Sequence, residues 1–232
     1  MSRRITFYNK NFYHIFNRGV RKSQIFFDDK DYLRWKKLLH WCNNYDYSYS
    51  QYLERLASAS LKGGNPEALE KIIQDKKYSL PLVEIHAYAE MPNHYHLLLR
   101  QVEDSGTSRF MHRLSTAYAM YINTKYDLKG ALLEGPFKGV EIEGDVQLDQ
   151  TYKYIHLNPL AAGLVTKQKL ITYPWSSLPE YMNKNKKGIV TTNFFAGRLG
   201  VASEILEFIL SDMSENDKKN LADIALDYDD KP

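Results

Sequence analysis

Val83-Glu84-Ile85-His86-Ala87-Tyr88-Ala89-Glu90-Met91-Pro92-Asn93-His94-Tyr95-His96-Leu97-Leu98-Leu99-Arg100 reads as two strands folded back on one another. From Pro81 to Glu90 the side chains alternate, with Val83, Ile85, Ala87 and Ala89 expected on one face. That is the two-residue period of a strand. His94 to Arg100 alternates in turn, and Met91-Pro92-Asn93 supplies the turn chemistry between them. Outward from this hairpin, Phe12 to Arg18 reads as a first strand closed by Gly19. Asp28 and Asp29 then offer an N-cap to a helix on which Tyr32, Trp35, Leu38, Leu39 and Cys42 recur at helical spacing. On the far side, Ser108 begins a helix through Phe110, Met111, Leu114, Tyr118, Tyr121 and Ile122, and Phe137 to Ile142 is a fourth strand. Asp145 caps a last helix carrying Leu148, Tyr152 and Ile155 and ending near Pro159. Strand, helix, strand, strand, helix, strand is the split βαβ order. The expected fold is therefore α+β: a ferredoxin-like antiparallel sheet with helices on one face.

Two stretches stand outside that frame. Residues 43–78 are polar, contain Gly63-Gly64-Asn65-Pro66, and read as an insertion with short helices at Gln51 to Leu61 and Pro66 to Gln74. Beyond Tyr173-Pro174-Trp175-Ser176-Ser177 strand signals stop, and Phe194 to Leu210 reads as a small helical extension. The expected division is a domain over 1–180, with 43–78 inserted, and a helical extension over 181–232 with an acidic tail.

A chain of 232 residues, 44% apolar and 25% charged, can build one substantial core. No run approaches the ~20 apolar residues of a membrane span, and Met1 to Thr6 holds no apolar signal-peptide core. The lone Cys42 cannot form an internal disulfide and sits at core spacing, so a cytoplasmic protein without a cysteine nucleophile is expected. The net charge of +3 hides an asymmetry. Between Met1 and Phe27 lie Arg3, Arg4, Lys10, Arg18, Arg21 and Lys22 with no carboxylate, whereas Asp212, Glu215, Asp217, Asp223, Asp227, Asp229 and Asp230 crowd the other end.

His94-Tyr95-His96 is the sharpest chemical feature. Residues two apart on a strand share a face, so His94 and His96 project together while Tyr95 and Leu97 face the core. Two such imidazoles can form two corners of a divalent-metal site, and a hydrogen-bonded histidine pair is the plain alternative. Tyr154 and Asn158 share a helix face four residues apart. A phenol titrates near ~10 and needs help to act as a nucleophile, and an amide oxygen is a neutral ligand. Asn158 precedes Pro159, which disfavours helical geometry at that point, and a packing role for Tyr154 stays open. Tyr118 and Tyr121, three apart on the preceding helix, are accounted for by packing, and His14, His86 and His156 read as structural histidines.

Met91 to Leu99 resembles the HUH motif, two histidines around a bulky apolar residue, of the single-tyrosine transposases. Tyr154-Ile155-His156-Leu157-Asn158-Pro159 with Ala162-Gly163-Leu164-Val165 resembles the nucleophile segment of their REP-associated branch. Tyr13 to Gly19 is similar to that branch's first strand, and Tyr173 to Ser177 to a downstream segment, so the resemblance spans roughly 8–180 in the family's order. It implies that His94, His96 and Asn158 hold Mg²⁺ or Mn²⁺. It also implies that Tyr154 attacks a phosphodiester of single-stranded DNA, forming a 5′-phosphotyrosine and freeing a 3′-hydroxyl without a nucleotide cofactor. The implied partner is a REP-like DNA hairpin with adjacent single strand, met by a monomer or a homodimer. Candidate phosphate contacts are Arg18, Arg21 and Lys22, then Arg109, Arg113 and Lys138. Two departures stand out: Pro136 and Ala161 occupy places where the family often carries arginine.

Two rival readings keep the same residues. A hairpin-binding module would hold nucleic acid without cutting it. A metal hydrolase would activate water at His94 and His96 and would not need Tyr154.

Overall fold

In the computed structural model the hairpin consists of β2 (Val83–Met91) and β3 (His94–Gln101), turning at Pro92-Asn93. The structure describes residues 5–62, 66–183 and 188–212, without the side chains of 59–62 and 66–68. Arg3, Arg4 and the tail carboxylates from Glu215 to Asp230 lie outside the described residues. β1 (Phe12–Arg18) pairs antiparallel with β3 on one side and with β4 (Lys138–Glu141) on the other. The sheet order is β2-β3-β1-β4, the order of a split βαβ unit.

Between β1 and β2 run α1 (Asp29–Asn44), α2 (Tyr49–Lys62) and α3 (Pro66–Asp75). After β3 comes α4 (Gly106–Tyr126), and after β4 comes α5 (Asp145–Ala161). Short helices α6 (Leu178–Met182), α7 (Asn193–Leu199) and α8 (Ala202–Leu210) follow. The α1 start shows why sequence fixes an end. The Asp28 carboxylate accepts from Asp31 N while the Asp31 carboxylate accepts from Asp28 N, so orphan amide donors are satisfied in both directions. α5 departs from expectation at both ends: Gly144 is its N-cap, and it runs through Pro159 to Ala161. Ala162 N donates to Asn158 O, so the last turn closes around the proline and the four-residue spacing of Tyr154 and Asn158 is a real helical one.

The two helices of the split unit cover one sheet face, as expected, and α5 with α6 to α8 covers the other. On the first face Trp35, fully buried, lies 4.6 Å from Tyr95 and 4.8 Å from Tyr118, ring centre to ring centre, among Leu97, Leu99, Phe110 and Leu114. On the second, Leu98, Ala87 and Ala89 pack against Leu148, Tyr152 and Ile155, and Phe195, Ile205 and Ile209 close that layer. β2 serves both layers through a bulge. Ile85 pairs with Leu99 but Ala87 with Leu98, so His86 is an extra residue. Val83 and Ile85 therefore face the α1–α4 layer, while Ala87 and Ala89 face α5. The uniform face expected for Val83, Ile85, Ala87 and Ala89 is corrected: a slip of one residue reverses every side chain after it.

The insertion packs on the end of α1 in a small cluster, in which Trp41 of α1 meets Leu69 and Ile73 with Tyr45, Tyr47, Tyr49 and Tyr52 around them. Among the described residues no helix is long and apolar enough to cross a membrane.

Candidate active site

Register places the chemistry. His94 pairs with Arg18, His96 with Phe16 and Leu98 with His14, while Phe16 and His14 pair in turn with Lys138 and Val140 on β4. Directly paired residues of an antiparallel sheet share a face. His94, His96, His14, Arg18 and Lys138 therefore all stand on the face that α5 covers. α5 can come close there because Ala89, the β2 partner of His96, is small.

Tyr154, half-buried on α5, meets this row edge-on. Its ring centre lies 5.4 Å from His96 and 5.9 Å from His14, at interplanar angles of 84° and 80°. Asn158 is buried one turn further along the same helix face. His94 and His96 lie 5.1 Å apart, nearly perpendicular. The structure thus brings the two histidines and the tyrosine together from elements far apart in sequence. It adds a residue read as structural, His14, whose Nε2 is 2.9 Å from His96 Nδ1. Sequence alone carried one signal for it, its place within the Tyr13 to Gly19 match, but the β1–β3 pairing that aims it at His96 is not visible in either segment.

The donor atoms suit a hard or borderline divalent cation. Asn93 Oδ1 lies 2.7 Å from His94 Nδ1 and is an acceptor, so Nδ1 carries the proton and Nε2 keeps its lone pair. His96 Nε2 is buried and meets no hydrogen-bonding group. Burial, with His14 and His94 adding repulsion, holds the His96 imidazole well below its usual range, so it is neutral, which is the ligating form. Among the described residues no group of three His, Cys, Asp or Glu side chains is arranged to hold a metal.

The cationic candidates divide by face. Arg21 and Lys22 are exposed, with φ of 55° and 60°, on the loop after Gly19 that clasps the β2–β3 turn. Gly19 N donates to Asn93 O, and Ile25 N and Phe26 N both donate to Pro92 O. Consecutive left-handed residues other than glycine are uncommon and cost backbone strain; here they bring two cations to the His94 end of the sheet. Arg18 lies there too, its Nε 2.6 Å from Glu134 Oε2. Lys138 is exposed two strands from His96. Arg109 and Arg113 are not brought to this site. They project from α4 over the Tyr78 ring, and Arg113 donates to Tyr47 O, so both are engaged with the insertion beyond the other sheet face.

His156 is held between Tyr152 O at 3.0 Å and Ser177 Oγ at 2.7 Å, and burial pushes it down to about 3. It is a neutral strut that fastens the Tyr173 to Ser177 segment to α5. That segment in turn extends the β2 edge, with Glu90 N donating to Trp175 O and Ser177 N to Tyr88 O.

Residues 58–158 match the family model described as Transposase IS200 like. The structure of a REP-associated tyrosine transposase bound to a REP hairpin superposes with a TM-score of 0.51. That likeness covers 82% of this chain and 89% of the other at 14% identity, and it shows a shared fold. No curated protein matches the chain significantly. The resemblance to the single-tyrosine transposases is borne out, over a segment that contains His94, His96, Tyr154 and Asn158.

Proposed function

We propose that the chain is a transposase-type DNA transesterase that cuts and rejoins single-stranded DNA beside a hairpin, with Tyr154 as nucleophile. The observation that carries this is the edge-on approach of Tyr154 to His96, within 5.4 Å, from a separate helix. A metal hydrolase has no use for a phenol held against the histidine row.

His94, His96 and Asn158 would hold Mg²⁺ or Mn²⁺, which when bound polarises the scissile phosphate and neutralises charge on its oxygens. The Tyr154 oxygen attacks phosphorus, the O–P bond forms and the P–O3′ bond breaks. The phenol gives up one proton and the departing 3′-oxygen gains one, so no net charge is made. The resulting 5′-phosphotyrosine conserves the bond for later attack by a 3′-hydroxyl. Arg21 and Lys22, with Arg18 and Lys138, flank the histidines and would position the DNA backbone. Arg109 and Arg113, on the other side of the sheet, would at most meet a distal part of the same DNA. We assign the activity to the cytoplasm, with residues 1–180 as the catalytic domain and 181–232 as its extension.

The test is incubation with single-stranded hairpins taken from beside the gene, in Mg²⁺ or Mn²⁺, with denaturing gels as readout. Native chain should give a protein-linked band that Tyr154→Phe lacks. Cleavage without that band would establish the hydrolase instead, and tight binding without cleavage the hairpin-binding module.

A further inference from the structure

We propose that Glu134 is a positioning residue for Arg18: its carboxylate holds the guanidinium in one plane beside His94, so that Arg18 meets the phosphate that Tyr154 attacks and steadies the charge growing on its oxygens. The inference rests on the reading of Tyr154 as nucleophile, and it adds a part of the site that lies outside both the histidine strand and the tyrosine helix.

Arg18 and His94 are direct partners across β1 and β3, so the Arg18 side chain leaves the sheet on the α5 face beside the histidines. Its Nε lies 2.6 Å from Glu134 Oε2, and the two side chains are only 22% and 24% exposed. The backbone brings Glu134 to that place. Glu134 N donates to Arg18 O at 2.9 Å, Val20 N to Leu132 O at 3.1 Å, and Asn17 Nδ2 to Gly135 O at 3.0 Å. These bonds zip residues 132–135 along the exit of β1, and none of them uses the Glu134 carboxylate. The loop is therefore held without the ion pair, and one partly exposed pair adds little to stability. What the carboxylate does control is the guanidinium. An arginine stem turns about several soft torsions, whereas its five donors form one rigid, planar fork. A carboxylate fixed at Nε sets the plane of that fork while engaging one donor of the five. An oriented fork can take two phosphate oxygens at once. Phosphoryl transfer asks a protein chiefly for such placed donors, aimed where charge develops. Arg21 and Lys22 are exposed on the loop beyond, so Arg18 is the half-buried cation set directly opposite His94.

The test is a double-mutant cycle on the single-turnover rate of adduct formation, at saturating single-stranded hairpin in Mn²⁺. Glu134→Ala should slow the native chain about 10-fold while leaving hairpin affinity within about 3-fold. Glu134→Gln, whose amide oxygen accepts from the same Nε–H, should recover most of the rate. Arg18→Lys and Arg18→Gln lack the planar fork, and in either background Glu134→Ala should cost less than about 2-fold more. An equal loss with and without Arg18 overturns the inference, because Glu134 would then act independently of it. An unchanged or faster Glu134→Ala overturns it too, since the carboxylate would then only shield the cation. So does a rate loss that follows a fall in melting temperature, which would make the carboxylate a support of the loop. Each of these results leaves Tyr154 standing as the nucleophile, whereas no adduct from the native chain overturns both.

Discussion

Glu84 and Glu90 lie six residues apart on β2, and their surroundings drive them in opposite directions. Glu84 Oε2 is 3.4 Å from His86 Nε2 and accepts from Arg100 Nη1 at 3.0 Å; the histidine first, then the arginine, pull its carboxyl down to about 2. Its contribution to stability is whole above the ordinary carboxylate range near 4.5 and is lost as pH falls towards 2. Glu90 is fully buried with both oxygens unpaired, and burial pushes it well up, so it is neutral in the folded chain. Its contribution is whole below about 4.5 and is lost as pH rises, because the unfolded chain gives up that proton first. Urea titrations across pH should therefore show Glu84→Gln losing less stability than the native chain below pH 4.5. Glu90→Gln should gain on the native chain above it. Parallel curves for either variant would contradict its assignment. None of this is legible in the sequence, where both are ordinary strand glutamates. His14 is hidden for the same reason. Alternation tells which residues share a face within one strand, but the partner strand decides what each one meets.

At the scale of elements, strands and helices with a single period are easily read. β1 appears with its expected bounds, and α1 carries its cap in Asp28 and its stripe in Trp35, Leu38 and Leu39. What escapes is any feature that breaks a period, such as the His86 bulge, or that holds through a break, such as α5 continuing past Pro159. Gly19 is a break with a purpose. A Cβ there would fall 2.0 Å from the Ser23 carbonyl oxygen, so only glycine lets the following loop fold back over the β2–β3 turn. Gly19→Ala should displace the loop that carries Arg21 and Lys22. It should weaken hairpin binding by gel shift more than Lys138→Ala does, and lower the melting temperature, which Lys138→Ala should leave in place. Unchanged melting and binding in Gly19→Ala would show that the clasp is dispensable.

For the molecule as a whole, the ferredoxin-like order is evident in the alternation of elements, and the layer opposite α1 and α4 is not. That layer comes from short helices whose apolar residues are too few to show a stripe until α5 gathers them. Phe195 stacks on Tyr152 at 3.9 Å, and Ile205 and Ile209 complete the cluster. The C-terminal helices therefore buttress the helix that carries Tyr154. Phe195→Ala should cost about 3–5 kcal/mol in urea unfolding and reduce adduct formation in step with the folded fraction. A loss under about 1 kcal/mol would mean that the extension does not support α5.

The central claim is that the sheet and α5 meet to make a tyrosine nucleophile. It is tested most directly by trapping the chain on a single-stranded hairpin substrate in Mn²⁺, digesting it and locating the DNA by mass spectrometry. The account predicts a nucleotide phosphate on the peptide containing Tyr154, and none in Tyr154→Phe. A phosphate on Tyr118, Tyr121 or any other residue, with cleavage intact in Tyr154→Phe, would contradict it.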